Sequence, residues 1–203
     1  MAAASTHWRP TERALAVAYC FECGEPLVTG VPPGEDRKRQ YCPACGYVHY
    51  LNPRILVSCI VHDGERVLWV RRGQDPQKNL WAMPAGFMEN DETLQQAAVR
   101  ELEEETGLRI PATDLDLVVL SSLAFINEVY VVFEARHEAV ELQPVVPETL
   151  EVRFLAEAEA PWDELAYPYT EPYMRRCYQR LRSGEKEMLL GAFSHNIQQL
   201  KNV

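Results

Sequence analysis

The chain has 203 residues, 47% apolar and 25% charged, which is enough for one sizeable core with a small appendage and excludes disorder, collagen and coiled coil. Thirty acidic side chains against twenty Lys and Arg give a formal charge of −10, a balance that repels a polyphosphate backbone and argues against a nucleic-acid coat protein. No apolar run reaches the roughly 18 to 20 residues needed to span a bilayer, and residues 1–10 (MAAASTHWRP) lack the apolar core of a secretory signal. The expectation is a soluble, cytoplasmic protein; the Ser and Arg of that acid-poor opening leave an organellar address open.

After an N-terminal tail over residues 1–17, four of the six cysteines form two pairs, Cys20-x2-Cys23 and Cys42-x2-Cys45, with eighteen residues between them. Each pair reads as a knuckle in which two thiolates converge from a tight turn, helped by Gly24 and Gly46 directly after the second Cys. Four soft ligands suit tetrahedral Zn²⁺, and a site filled by protein ligands has no open position for substrate, so the expected role is structural. Redox dithiols are the alternative, disfavoured where the compartment keeps thiols reduced. The small zinc ribbon is placed over residues 18–54, with an exposed loop carrying Arg37-Lys38-Arg39 between the knuckles. Cys59 and Cys177 sit within apolar patterns and read as buried packing residues.

Past Asn52-Pro53 the pattern changes. A β-branched run from Ile55 to Val61, the turn Asp63-Gly64 and a second run from Val67 to Arg71 predict an antiparallel pair. Further strands are expected over Leu117 to Leu123, Val129 to Phe133 and Glu151 to Leu155. Helices are expected from Thr93 to Thr106 and from Tyr173 to Arg182, the latter with Met174, Cys177, Tyr178 and Leu181 on one stripe and Gly184 as its stop. Because strands and helices do not alternate strictly, an α+β or α/β/α sandwich with a mixed sheet is preferred over a doubly wound parallel sheet. This domain is placed over residues 55–184, followed by a loosely attached C-terminal tail over 185–203.

The first helix breaks local rules. Thr93-x-x-Gln96 is a capping box and Gly107-Leu108 a Schellman-type exit, yet Glu101, Glu103, Glu104 and Glu105 crowd the end where the helix dipole favours cations. At 100° per residue, Glu101, Glu104 and Glu105 share a wedge of about 100°, while Glu103 faces away. A solvated acidic face is one reading. The other is a site: three carboxylates on one face relieve their repulsion by binding a divalent cation, and hard oxygen ligands suit Mg²⁺ or Mn²⁺.

The surrounding spacing decides between them. Gly86-x5-Glu92-x7-Arg100-Glu101-Leu102-x-Glu104-Glu105-x-Gly107-Leu108 meets every fixed position of the Nudix box across 23 residues, and here the sequence resembles the Nudix hydrolases. With the ribbon included, residues 18–184 are similar to a subgroup of Nudix proteins with an N-terminal zinc ribbon, some of which act on FAD or ADP-ribose. The resemblance implies a Nudix α/β/α sandwich in which Glu101, Glu104 and Glu105 hold Mg²⁺ with the Gly86 carbonyl, Arg100 orients Glu101, and Glu92 lies close to the substrate. Glu148, in the Pro-flanked loop Pro147-Glu148-Thr149-Leu150, reads as a solvated loop residue or, by the same resemblance, as the candidate base, with Glu151 as its backup. Arg71 and Arg72 are candidate phosphate contacts or structural ion-pair partners of the acidic helix; Phe125, Tyr130, Trp162, Tyr167 and Tyr169 offer stacking faces or core, and Asn127 and Glu128 read a ligand edge or make a turn.

The expected reaction is metal-dependent cleavage of the pyrophosphate in a small nucleotide derivative, ADP-ribose or FAD, releasing AMP and a phosphorylated partner. No segment like the SQPWPFPxS of the related NADH hydrolases follows Leu108, which places NADH lower. Other readings are a dinucleoside polyphosphate, nucleoside triphosphate or capped RNA substrate, or a non-catalytic nucleotide sensor whose ribbon binds DNA or a partner. Nucleic acid is disfavoured by charge, no membrane contact is expected, and the family habit implies a homodimer.

Overall fold

In the computed structural model of the protein, which describes residues 17–138, 140, 142, 144–186, 188–193 and 198–202, the chain divides between Asn52 and Pro53 into two units. The tail and address read from residues 1–16 lie outside the described residues. The first unit is a three-stranded antiparallel sheet of β1 (Val28–Gly30), β2 (Arg39–Tyr41) and β3 (Val48–His49). The loop expected to present a basic cluster is thus shorter than the sequence suggests: Arg39 lies in β2, paired with Glu35 at 3.1 Å and stacked on Tyr50 at 4.8 Å.

The second unit is built on β4 (Arg54–His62), β5 (Val67–Arg72), β6 (Trp81–Ala82), β7 (Ala85–Phe87), β8 (Asp116–Leu123), β9 (Glu128–Arg136) and β10 (Thr149–Leu155). The helices are α1 (Leu94–Thr106) and α2 (Glu171–Ser183). Strand order is β10-β5-β4-β9-β8, with β6 beside β5 and β7 beside β4. β4 and β9 run parallel while the neighbouring pairs are antiparallel, so the sheet is mixed as expected. Side-chain alternation sorts the central strands into two cores. Val57, Cys59, Val61, Leu68, Val131 and Phe133 pack with Ala97, Ala98 and Leu102 of α1. Ile60, Val67, Trp69, Tyr130 and Val132 pack on the other face with Tyr173, Met174, Cys177 and Tyr178 of α2. That is the α/β/α sandwich.

The predicted helix ends have the expected chemistry. Thr93 Oγ1 accepts from the Gln96 amide at 3.2 Å while the Gln96 side chain accepts from the Thr93 amide at 2.7 Å. Gly107 turns left-handed at φ 73° and donates to the Glu103 carbonyl at 2.8 Å. Beyond Gly184 the loose tail gives way to two strands. β11 (Leu189–Phe193) adds to β8 in parallel, and β12 (Gln198–Asn202) pairs antiparallel with β11. The reason is apolar burial, since Leu189 is 2% exposed inside the α2-side core. Among the described residues no helix is long and apolar enough to cross a membrane.

Candidate functional site

The four knuckle sulfurs lie within 4.8 Å of one another, with Cys20 to Cys45 at 3.6 Å and Cys23 to Cys42 at 3.5 Å. Tetrahedral zinc with bonds of about 2.3 Å places its sulfurs about 3.8 Å apart, so the cluster fits the ion as it stands. Each turn closes by an amide of the following glycine, Gly24 on the Cys20 carbonyl and Gly46 on the Cys42 carbonyl, with φ of 76° and 79°. The amides of Cys45 and Ala44 aim at the Cys42 sulfur and bring its pKa down to about 7, while Cys23 and Cys45, sharing their protons with the adjoining sulfurs, are held above the usual thiol value. Cys59 and Cys177 are buried, and burial pushes both thiols up.

The acidic helix site begins where β4 and β5 part. They pair only at the hairpin mouth, His62 opposite Val67, and β7 then runs along β4 with Gly86 opposite Val57. This brings Gly86 beneath the Glu101 side chain, so close that a Cβ there would stand 2.0 Å from Glu101 Cδ. With no left-handed φ at Gly86, what the missing Cβ leaves is room for the Glu101 carboxylate, which any larger residue would displace. One residue before it, the Ala85 amide donates to Glu105 Oε2 at 3.2 Å. The two inner carboxylates of α1 are therefore seated against the β7 backbone.

Arg100 organises the rest. Its Nη1 donates to Glu101 at 2.7 Å and to Glu104 at 3.0 Å, while Nε and Nη2 grip both oxygens of Glu92 at 3.0 and 2.8 Å. Nη2 also donates to the Phe87 carbonyl at 3.1 Å. α1 has no basic residue in its last turn, so this guanidinium is the charge that offsets its acidic face. Its bond to Arg100 holds the Glu92 carboxyl below its usual range and ties Glu92, expected close to substrate, to α1. Glu103 turns away as the helical geometry requires, pairing with Arg109 at 2.7 Å.

Burial dominates the remaining electrostatics. Desolvation, reinforced by Glu101, pushes the Glu105 carboxyl up to about 8; desolvation also raises Glu101, with Arg100 pulling the other way. Glu104 stays half exposed. Among the described residues only the cysteines already stand close enough to grip a metal; on the acidic face Arg100 holds Glu101 and Glu104 while Glu105 accepts from the Ala85 amide. The three carboxylates are nevertheless hard donors on one face, two of them desolvated and repelling each other, and they fit a divalent cation.

Glu148 stands across from this face, near enough for its charge to raise both Glu101 and Glu105. Its side chain accepts a long 3.4 Å bond from Gln74, and its carbonyl accepts from the Gly73 amide at 2.7 Å. Glu151 is engaged by Arg71 at 3.7 Å and by Arg153, which leaves Glu148 the freer carboxylate. Arg71 also donates to the Asn79 carbonyl at 2.9 Å. Arg72 donates to the Pro76 carbonyl at 3.3 Å, lies 5.6 Å from the Tyr167 ring, and its charge opposes the rise of Glu105. Of the five aromatics named from sequence, Tyr167 is thus placed beside the acidic face. Trp162 packs edge-on to Trp69, Tyr130 is buried against Tyr173, and Phe125 meets Tyr169 at 5.8 Å. Asn127 makes the β8–β9 turn at φ 58°, and Glu128 is buried beneath Arg54, which itself stacks on Phe87 at 4.1 Å.

Comparison with known proteins places this geometry in a family. A NUDIX domain model matches residues 52–181, and a second model, described as Nudix N-terminal, matches residues 18–51. An ADP-ribose pyrophosphatase from Methanocaldococcus jannaschii is 42% identical over 76 residues, 37% of this chain and 44% of that protein. The NAD-capped RNA hydrolase NudC of Chromobacterium violaceum is 27% identical over 128 residues, 62% of this chain and 45% of that one. The chain thus spans less than half the length of these curated relatives. A solved Nudix hydrolase from Nitrosomonas europaea is 34% identical, with a TM-score of 0.79, covering 87% of this chain and 99% of that chain. With its box of glutamates seated on β7 and its cysteine ribbon ahead of it, the chain belongs to the Nudix family and carries that family's N-terminal zinc-ribbon module.

Proposed function

We propose that the protein is a Mg²⁺- or Mn²⁺-dependent pyrophosphohydrolase that splits the P–O–P bond of a nucleoside diphosphate derivative, ADP-ribose first and FAD second. The observation that carries this reading is the seating of Glu101 and Glu105 against Gly86 and Ala85, with Arg100 bridging Glu101 to Glu104. Glu101, Glu104 and Glu105, with the Gly86 carbonyl, would hold the cations. When bound, these neutralise phosphate charge and make a nearby water more acidic. An anionic substrate approaching a protein of charge −10 requires such a counter-charge.

The chain's own groups do the rest. Arg72 faces the acidic helix and offers its guanidinium to a phosphate oxygen, with Arg71 behind it on Glu151. Glu148 accepts the proton of the attacking water. The water oxygen forms a bond to one phosphorus, the bond from that phosphorus to the bridging oxygen breaks, and ADP-ribose yields AMP and ribose 5-phosphate. Tyr167, beside Arg72, supplies a ring face to the nucleoside. The ribbon, with Zn²⁺ on Cys20, Cys23, Cys42 and Cys45, serves folding. The likeness to a NAD-capped RNA hydrolase over 62% of the chain supports a second reading, a larger adenosine-capped substrate cleaved by the same groups.

Incubation with Mg²⁺ and a panel of ADP-ribose, FAD, NADH, diadenosine polyphosphate, dNTP and NAD-capped RNA tests this directly. AMP from ADP-ribose, lost in Glu104→Gln, is expected. No turnover of any member would contradict the reading and favour a nucleotide sensor.

A further inference from the structure

Gly24, Gly34, Gly46, Gly107 and Gly184, where a Cβ would meet no neighbour within 4 Å, all adopt left-handed backbone, as turns require. Two behave differently. Gly73 and Gly86 have no left-handed φ, yet a Cβ on either would stand 2.0 Å from another atom. At Gly86 that atom belongs to Glu101; at Gly73 it is the carbonyl oxygen of Pro147, with the Glu148 carbonyl at 3.1 Å. Each glycine therefore marks a place where the backbone is hollowed for a carboxylate of the site or for the loop that carries one.

The surroundings of Gly73 point the same way. Its amide donates to the Glu148 carbonyl at 2.7 Å, and the side chain of the next residue, Gln74, reaches Glu148 Oε1 at 3.4 Å. On the other side Thr149 is buried and pairs with Arg72, and the register between β10 and β5 then shifts by one residue at Leu150. Such a bulge bends the strand and re-aims the side chains ahead of it. The end of β5 and the start of β10 together fix the peptide on both sides of Glu148.

We propose that Gly73 and Gln74 are positioning residues that hold Glu148 opposite the acidic face of α1. The proposal rests on the reading of Glu148 as the base. A Cβ at residue 73 must separate from the Pro147 carbonyl oxygen, from 2.0 Å to at least 3.0 Å, a relative displacement of the two backbones of about 1 Å. Misplacing a reacting group by that much costs about 100-fold in rate.

The test combines Gly73→Ala, Gln74→Ala, Glu148→Gln and the double variant Gly73→Ala/Glu148→Gln, with ADP-ribose and Mg²⁺ as probes. Gly73→Ala is expected to lower kcat about 100-fold with KM within about 2-fold, and the same change in a Glu148→Gln background to add almost nothing. Gln74→Ala, at an exposed position that leaves the fold alone, is expected to lower kcat several-fold. Equal losses from Gly73→Ala in both backgrounds would overturn the positioning role while leaving the base in place. Full activity of Glu148→Gln would overturn the base instead. Independently of turnover, a crystal structure of Gly73→Ala is expected to show residues 147–149 displaced from β5, and an unmoved loop overturns the proposal.

Discussion

Glu105 ties the fold to the chemistry most tightly. Its carboxyl titrates near 8 because burial, reinforced by Glu101, disfavours the anion, against an ordinary value of 4.5. Between those values the folded protein holds a proton that the unfolded chain releases, so this group contributes stability that is complete below about pH 4.5 and falls as pH rises toward 8. At 1.36 kcal/mol per unit, the loss between pH 5 and pH 7 is about 3 kcal/mol, an upper value that relaxation around the site reduces. Glu105→Gln keeps the shape and an acceptor for the Ala85 amide but cannot ionise. In magnesium-free buffer without chelator, which would strip the ribbon, urea unfolding followed by tryptophan fluorescence reports the second unit through Trp69, Trp81 and Trp162. The variant is expected to match the wild type near pH 5 and to exceed it by about 3 kcal/mol at pH 7. Parallel stability curves for the two proteins would refute the claim that Glu105 is held against its charge.

Other consequences follow from the same residues. Since the cation requires the Glu105 anion, Mn²⁺ affinity by calorimetry is expected to rise about tenfold per pH unit between pH 6 and 8, with proton release, and a flat profile would contradict it. Arg100→Lys keeps the charge but not the fork that joins Glu92, Glu101, Glu104 and the Phe87 carbonyl, so a 10- to 100-fold loss in metal affinity or kcat is expected. Removing zinc, or changing Cys42 to Ser, is expected to unfold the first unit, read as loss of amide dispersion for residues 18–51 in heteronuclear spectra. Leu189→Ala empties a position that is 2% exposed and is expected to cost about 2 to 5 kcal/mol, whereas a truly loose tail would cost nothing.

The helix of the site was legible because its ends are local. A capping box at Thr93 and a left-handed glycine at 107 need only neighbours in sequence, and 3.6-residue periodicity alone sends Glu103 to Arg109 and its three companions to the other face. The mixed sheet was legible from its β-branched runs. What sequence did not show depends on contacts between distant segments. β11 is five residues long, and its place beside β8 comes from the burial of Leu189. The bond from Arg100 to Glu92 at 2.8 Å joins residues eight apart and is not legible in the spacing of the box. The need for glycine at 73 has no local signal, because the atom it avoids belongs to residue 147.

The most direct test of the central claim is an anomalous difference map from a crystal soaked with Mn²⁺ and ADP-ribose. Peaks are expected among the carboxylates of Glu101, Glu104 and Glu105 next to Gly86, with the pyrophosphate on their far side. Manganese bound only elsewhere, with the three side chains still held by Arg100 and Ala85, would contradict that claim.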